Sequence, residues 1–256
     1  MELFYRQYGE GRPVIILHGL FGMCDNWATF SKKLAEKIFS VFTPDLRNHG
    51  NSPHSDVFSY EVLSDDLNEF IRQHNIMNPV LIGHSLGGKV VMNFTLKFPR
   101  VASKVIIIDM GIRKYGIQNE DVLQAIVNCD ISIKKTRKEI EETLEKRIQQ
   151  KKVIKLLMKN VQRNNDNTFC WKLNLEAIRN NFCEIFKAVE CAEKSNVPAL
   201  FIAAENSEYI SESDMPAIRK IFPLSKYISI PGSNHWVHSD KPEELLCAVT
   251  DFVDKH

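Results

Sequence analysis

Two residues of this chain stand in settings that suit them to chemistry on a carbonyl group. Ser85 lies at the centre of Gly83-His84-Ser85-Leu86-Gly87, and His235 lies in Gly232-Ser233-Asn234-His235-Trp236. A serine hydroxyl is a weak nucleophile until a base takes its proton, and the base needs a third group to orient it. The G-x-S-x-G spacing fits a strained turn between a strand and a helix. Glycine at both ends leaves room for the neighbouring backbone, and the serine hydroxyl is raised above the sheet. The same turn leaves the N–H of Leu86 at a helix start, where it can meet an oxyanion. The five residues alone fit equally well a serine that only caps a helix, so the surrounding chain has to decide.

His235 is read as the base. It follows a polar turn able to project a ring back toward Ser85. His238, three residues on, is the rival, but it sits closer to the closing helix. The acid stays open on the residues alone. Its usual place is the loop after the strand Val197–Ala204, which reads Glu205-Asn206-Ser207-Glu208-Tyr209 and holds Ser207 about where an aspartate is expected. Asp109 is favoured, because it ends the strand after the Ser85 helix and reaches the same sheet edge. Glu205 and Glu208 are its competitors. The second oxyanion donor is expected from the loop His18-Gly19-Leu20-Phe21-Gly22: the Leu20 N–H, with Phe21 as fallback. Phe21 and Trp236 are candidate walls of a substrate pocket. Asp45, Arg47, Asn48 and His49 together suggest a metal site or a second acid, but no further ligands stand at suitable spacing. They are read as structural, and neither a metal nor a cofactor is expected.

The elements that must position these groups show in the apolar pattern. Val14–Leu17 is a continuous apolar run, read as a strand buried on both faces, and Phe39–Thr43, Pro79–Ile82, Val105–Ile108, Val197–Ala204 and Lys226–Ile230 read as further strands. Helical spacing appears through Phe30, Leu34 and Ile38, over Tyr60–His74, Gly88–Lys97 and Asp214–Ile221, and over Pro242–Val253. Strands alternating with helices predict a mostly parallel sheet, with ligands beyond the carboxyl ends of the strands. His18, Asp45 and Ser85 all follow strands, so they fall on that edge. The rhythm breaks between about Ile112 and Asn196. There the chain is charged and helical, with a stripe over Asn174–Val189 and one short strand candidate, Phe169–Trp171. Residues 1–112 and 197–256 are therefore assigned to an α/β core and 113–196 to a helical insertion.

Composition removes several classes. The chain has 256 residues, 44% apolar and 25% charged, with a net charge of +1. A chain without basic excess carries no footprint for nucleic acid. No apolar run approaches the ~20 residues of a membrane helix. The start, Met1–Arg6, carries an acid and lacks the apolar core of a secretory signal. Six scattered cysteines without C-x-x-C spacing read as reduced thiols. Together these lead to an expectation of a cytoplasmic protein, a monomer or weak homodimer, binding neither membrane nor nucleic acid.

Four stretches then occur in a telling order: Leu17-His18-Gly19-Leu20-Phe21-Gly22, Asp45-Leu46-Arg47-Asn48-His49-Gly50-Asn51-Ser52-Pro53, Ile82-Gly83-His84-Ser85-Leu86-Gly87-Gly88-Lys89 and His235-Trp236-Val237-His238. Together they resemble the YbfF-like esterases of the α/β-hydrolase fold and the related abhydrolase domain-containing protein 11 group. The resemblance covers nearly the whole chain. It implies a mostly parallel central sheet with helices on both faces and a helical cap insertion over the site. It also implies Ser85 as nucleophile, His235 as base, Asp109 as acid, and Leu20 and Leu86 as oxyanion donors. The chain departs from the pattern at Leu86, where Met is frequent, and at Asp109-Met110-Gly111-Ile112, where Asp-Ile-Ala-Pro is frequent.

The expected activity is that of a serine carboxylesterase acting on small to medium acyl esters through an acyl-enzyme. Acyl thioesters such as acyl-CoA are the nearest alternative, since the same groups cleave both. A cofactor-free haloperoxidase side activity and a non-catalytic binder on the same scaffold are the others. The binder predicts a missing triad member, whereas Ser85 and His235 are both present.

Overall fold

The apolar runs form one sheet. The computed structural model describes residues 1–116, 119–190 and 193–254. In chain order the first elements are β1 (Tyr5–Tyr8), β2 (Arg12–Leu17), α1 (Ala28–Ala35), β3 (Phe39–Pro44), α2 (Tyr60–Gln73), β4 (Val80–His84), α3 (Leu86–Lys97) and β5 (Lys104–Ile108). Between β5 and the next sheet strand lie α4 (Glu120–Val127), α5 (Arg137–Glu145), α6 (Lys151–Lys159), β6 (Val161–Arg163), β7 (Phe169–Trp171) and α7 (Leu175–Asn180). The chain then returns through β8 (Ala199–Ala204), α8 (Met215–Ile221), β9 (Ser225–Ile230), α9 (Val237–Asp240) and α10 (Pro242–Asp254).

The seven-stranded sheet has the order β1-β3-β2-β4-β5-β8-β9. Only β1 pairs antiparallel, with β3; every other pair is parallel. Side chains of a strand alternate between faces, and here both faces are covered. Ile15 and Leu17 of β2 enter the core that holds Leu67 and Phe70 of α2 and Val90 and Phe94 of α3. Val14 and Ile16 enter the opposite core, with Phe30 and Leu34 of α1 and Leu245 and Val249 of α10. Burying one such side chain stabilises the fold by about 1.5–3 kcal/mol. That explains why these strands read as unbroken apolar runs. This is the α/β-hydrolase fold.

Three local expectations change. The helix read through Ile38 stops at Ala35, because the Lys37 and Ile38 N–H groups close turns onto Leu34 and Ala35. Ile38 adopts a left-handed φ of 62° and faces solvent. The stripe over Asn174–Val189 divides into α7 and a 3₁₀ turn over Phe182–Phe186, whose Phe182, Ile185 and Phe186 keep the apolar face buried. The strand candidate Phe169–Trp171 pairs antiparallel with Val161–Arg163, which the charge run had concealed. Among the cysteines, Cys24, Cys129, Cys170, Cys183 and Cys247 are free; Cys191 lies outside the described residues. No helix among the described residues is long and apolar enough to cross a membrane.

Two distant points of the stretch between β5 and β8 meet at Lys89 of α3. This lysine is fully buried, and its ammonium donates to the carbonyls of Arg113 and Lys187. It also stands 4.8 Å from the ring centre of Tyr115 and 5.9 Å from that of Tyr60. Burial lowers its pKa to about 8.

Candidate active site

Ser85 joins β4 to α3 with φ 53° and ψ −118°. A non-glycine residue in such a conformation carries strain of order 1–3 kcal/mol. The turn is held by the Ser85 N–H on the Ile108 carbonyl at 3.1 Å and by the Gly88 N–H on the Ser85 carbonyl at 2.9 Å. Its glycines are required sterically. A Cβ at Gly83 would lie 2.3 Å from the Gly87 carbonyl oxygen, and one at Gly87 would lie 2.5 Å from that of Leu17.

Asp109 directly follows β5, also at positive φ, and has no exposed surface. Its Oδ1 accepts the Ala204 N–H at 3.1 Å. Its Oδ2 accepts the Ser207 hydroxyl at 2.6 Å and the Nδ1–H of His235 at 2.7 Å. With Nδ1 engaged as the donor, Nε2 of His235 is left as the basic nitrogen. Glu205 and Glu208 are not brought to His235. Glu205 accepts the Gly232 N–H at 2.7 Å and so braces the loop ahead of the histidine. Glu208 is exposed, and its carbonyl accepts from Arg113.

Neighbouring groups hold the His235 ring. Tyr209 stacks on it at 4.4 Å between centroids and 29° between planes. The Tyr209 carbonyl is itself held by the Tyr115 hydroxyl. Behind the ring, Nε2–H of His84 donates to the His235 carbonyl at 2.8 Å. Burial first, then the proximity of His235 and His238, holds His84 far below the usual histidine range, so it stays a neutral donor. His238, the rival base, stacks on Trp27 at 4.2 Å. Burial, helped by the nearby His235, lowers its pKa to about 3. Asp240 accepts from the Asn234 backbone and side chain at 3.1 and 3.0 Å, folding the His235 loop back on α9.

The loop after β2 is shaped by two more neutral histidines. His18 donates from Nδ1 to the Gly19 carbonyl at 2.8 Å and accepts the Leu46 N–H on Nε2 at 3.0 Å. His49 donates from Nδ1 to the Arg47 carbonyl at 2.9 Å and accepts the Phe21 N–H on Nε2 at 3.2 Å. Burial lowers the first to about 4 and the second, with help from His18, to about 3. The engaged Phe21 N–H removes that residue as a fallback oxyanion donor. Among the described residues, the N–H groups of Leu20 and Leu86 have no protein acceptor. Asn160, at the end of α6, donates to the Phe21 carbonyl at 2.8 Å and ties the inserted segment to this loop.

The Asp45–Pro53 stretch directs its polar atoms to its own framework. Asp45 accepts the Cys24 and Asn51 N–H groups at 2.6 and 2.8 Å. Arg47 grips Asp66 with two hydrogen bonds, at 2.5 and 2.8 Å. Asn48 accepts the Ser55 N–H at 2.8 Å and meets Asn174 of the inserted segment at 3.2 Å. These are scaffold contacts, as their spacing suggested.

Ser85, His235, Leu20, Phe21 and Trp236 line one cavity of about 670 Å³, which α6 closes on one side with Val153 and Leu156. Sequence reasoning missed several contributors: Tyr209, His84, Asp240 and Asn160, and the role of Ser207. Only Ser207 left a signal, by standing where an acid was expected.

A parallel sheet with a strained serine turn at one strand end and an Asp–His pair beside it defines an enzyme of the esterase and lipase type. The family model for the alpha/beta hydrolase fold matches residues 12–242, and the chain belongs to that family. It is 33% identical to the sn-1-specific diacylglycerol lipase ABHD11 of Danio rerio, over 96% of this chain and 79% of that one. It is 29% identical to Esterase YbfF of Escherichia coli, over 94% and 93% of the two chains. Among solved structures, a marine microorganism esterase superposes with a TM-score of 0.95 at 39% identity, covering 98% of this chain and 99% of that one.

Proposed function

We propose that the chain is a serine carboxylesterase that cleaves small to medium acyl esters through an acyl-enzyme. The observation that carries this reading is the hydrogen bond from His235 to the buried Asp109, with His235 lining the same cavity as Ser85. Nε2 of His235 takes the Ser85 proton while Oγ bonds to the ester carbonyl carbon. The carbonyl oxygen becomes an oxyanion, held by the N–H groups of Leu20 and Leu86; removing one such donor typically costs about 3–4 kcal/mol of barrier. The intermediate collapses, the C–O bond to the alcohol breaks, and the alcohol leaves with the proton from Nε2. Water then gives a proton to Nε2, attacks the acyl carbon, and a carboxylic acid departs as Ser85 regains its hydrogen. Asp109 keeps the imidazole in the right tautomer and stabilises the imidazolium.

The 113–196 segment acts as a cap. Its Val153 and Leu156, with Phe21, supply an apolar wall for the acyl chain, and the cavity volume suits acyl groups of modest length. The test is labelling by a fluorophosphonate together with turnover of nitrophenyl esters of increasing chain length. Wild type is expected to label and turn over, and Ser85→Ala to do neither. Labelling or hydrolysis that persists in Ser85→Ala would sink the proposal.

A further inference from the structure

α6 lies across the cavity with an anchor at each end. Near its start, Lys152 is ion-paired with Asp240, the residue that folds the His235 loop. At its end, Asn160 is bonded to the Phe21 carbonyl, in the loop that carries Leu20. Eight residues separate the anchors, a span of about 12 Å along a helix. The helix therefore bridges the base loop and the oxyanion loop, on the wall of the cavity that holds Ser85.

The bridge carries three lysines along one face. Lys152, Lys155 and Lys159 follow i, i+3, i+7 spacing, so they share one face, and all three line the cavity. Lys152 is neutralised by Asp240. Lys155 and Lys159 are exposed, and among the described residues neither reaches a carboxylate. Among the described residues the one carboxylate lining the cavity, Asp25, is paired with Arg6 at 2.5 Å. The surrounding sequence reinforces the bias: from Lys146 to Arg163 there is neither Asp nor Glu. Two like charges on one helix face repel, and Lys155 is too far from the C-terminus to be drawn there by the helix dipole alone. Lys159 also acts inward, as a lesser contributor to the low pKa of His238.

We infer that Lys155 and Lys159 form an anion subsite at the cavity mouth, selecting esters whose alcohol or thiol portion carries a phosphate or carboxylate. This rests on the serine esterase reading above and specifies its substrate class. The acyl chain meets the apolar wall, while the leaving portion faces the mouth and the two unpaired ammonium groups. Opposite charge there raises capture of the substrate and orients its ester bond toward Ser85.

The test is a set of butyrate esters that differ in the charge of the leaving alcohol: glycerol, glycerate, glycerol 3-phosphate and choline. Wild type is expected to favour the two anionic esters over the glycerol ester by roughly tenfold in kcat/KM at low salt and to disfavour the choline ester. The glycerate and phosphate arms separate a carboxylate from a phosphate preference. In Lys155→Gln/Lys159→Gln the anionic-to-neutral ratio is expected to fall to about one, as it should for wild type at ~1 M salt, where screening acts within about 3 Å. Lys97→Gln, remote from the cavity, should retain the ratio. Fluorophosphonate labelling of the double variant reports separately on the Ser85 machinery. Equal rates on neutral and anionic esters in wild type would overturn the inference, and so would a preference that survives the double substitution. A gain seen only on anionic vesicles, and not with these soluble esters, would reassign the lysines to a membrane surface and also overturn it.

Discussion

Ser207 replaces the aspartate expected after β8, and it answers the absence by donating its hydroxyl to the aspartate that stands after β5 instead. The acid has one position in space and two in the chain, and this molecule fills the first strand end while hydrogen-bonding from the second. Asp109→Asn is therefore expected to lower kcat by about 10⁴, as loss of the correct tautomer does elsewhere. Glu205→Gln should stay within a few-fold of wild type. Asp109→Asn/Ser207→Asp should recover part of the loss, because it moves the carboxylate to the other strand end; no recovery would show that reach from β8 is inadequate. Ser207→Ala touches no substrate. It is expected to lower kcat by roughly ten- to a hundredfold with little change in KM, in line with the ~1.5–3 kcal/mol of a charge-assisted hydrogen bond.

At the level of elements, the buried Lys89 is the joint between the α/β core and the inserted segment. Replacing it with Met would leave the Arg113 and Lys187 carbonyls without their donor, at about 1–3 kcal/mol for each buried group. Lys89→Met is expected to speed amide exchange in residues 113–116 and 187–190 while β4 and β5 keep their protection. Unchanged exchange there would refute the joint. The sheet and its helices were legible in the sequence because burial on both faces writes the central strands β2, β4, β5 and β8 as largely apolar runs. Ile38 was misleading, because an apolar residue can continue a helical stripe and still occupy a left-handed turn. Ser85 and His235 were legible from local spacing. The partner of Asp109 was less so: Ser207 is 98 positions away, and only the adjacency of β5 and β8 brings the two together. Lys89 sat in plain view beside the serine motif, yet its partners, the carbonyls of Arg113 and Lys187, lie 24 and 98 positions away, which no local pattern encodes.

Taken whole, the molecule carries an internal set of neutral histidines. His18, His49 and His84 are buried, with folded-state pKa values of about 4, about 3 and well below 6.5. In the unfolded chain each titrates near ~6.5. Below that pH the unfolded chain binds protons that the folded chain refuses, so stability rises with pH through this window. Their contribution is complete above about pH 6.5 and is lost as the pH falls toward 4, at a slope of about 1.4 kcal/mol per pH unit for each histidine. Chemical denaturation midpoints are expected to drop steeply between pH 6.5 and 4.5, and the drop should be shallower in a His49→Gln variant that still folds. A flat profile would mean that these rings are protonated in the folded state.

The joint at Lys89 bears on how such molecules diversify. Two carbonyls of the stretch between β5 and β8, those of Arg113 and Lys187, share one ammonium group, so these two points are fixed relative to each other whatever lies between. The segment can be exchanged as a cassette: a different stretch of chain, of different length and charge, needs only to present two backbone oxygens and two flanking rings at the same place. The chemistry below would be untouched, while the set of molecules admitted to it would change with the cassette.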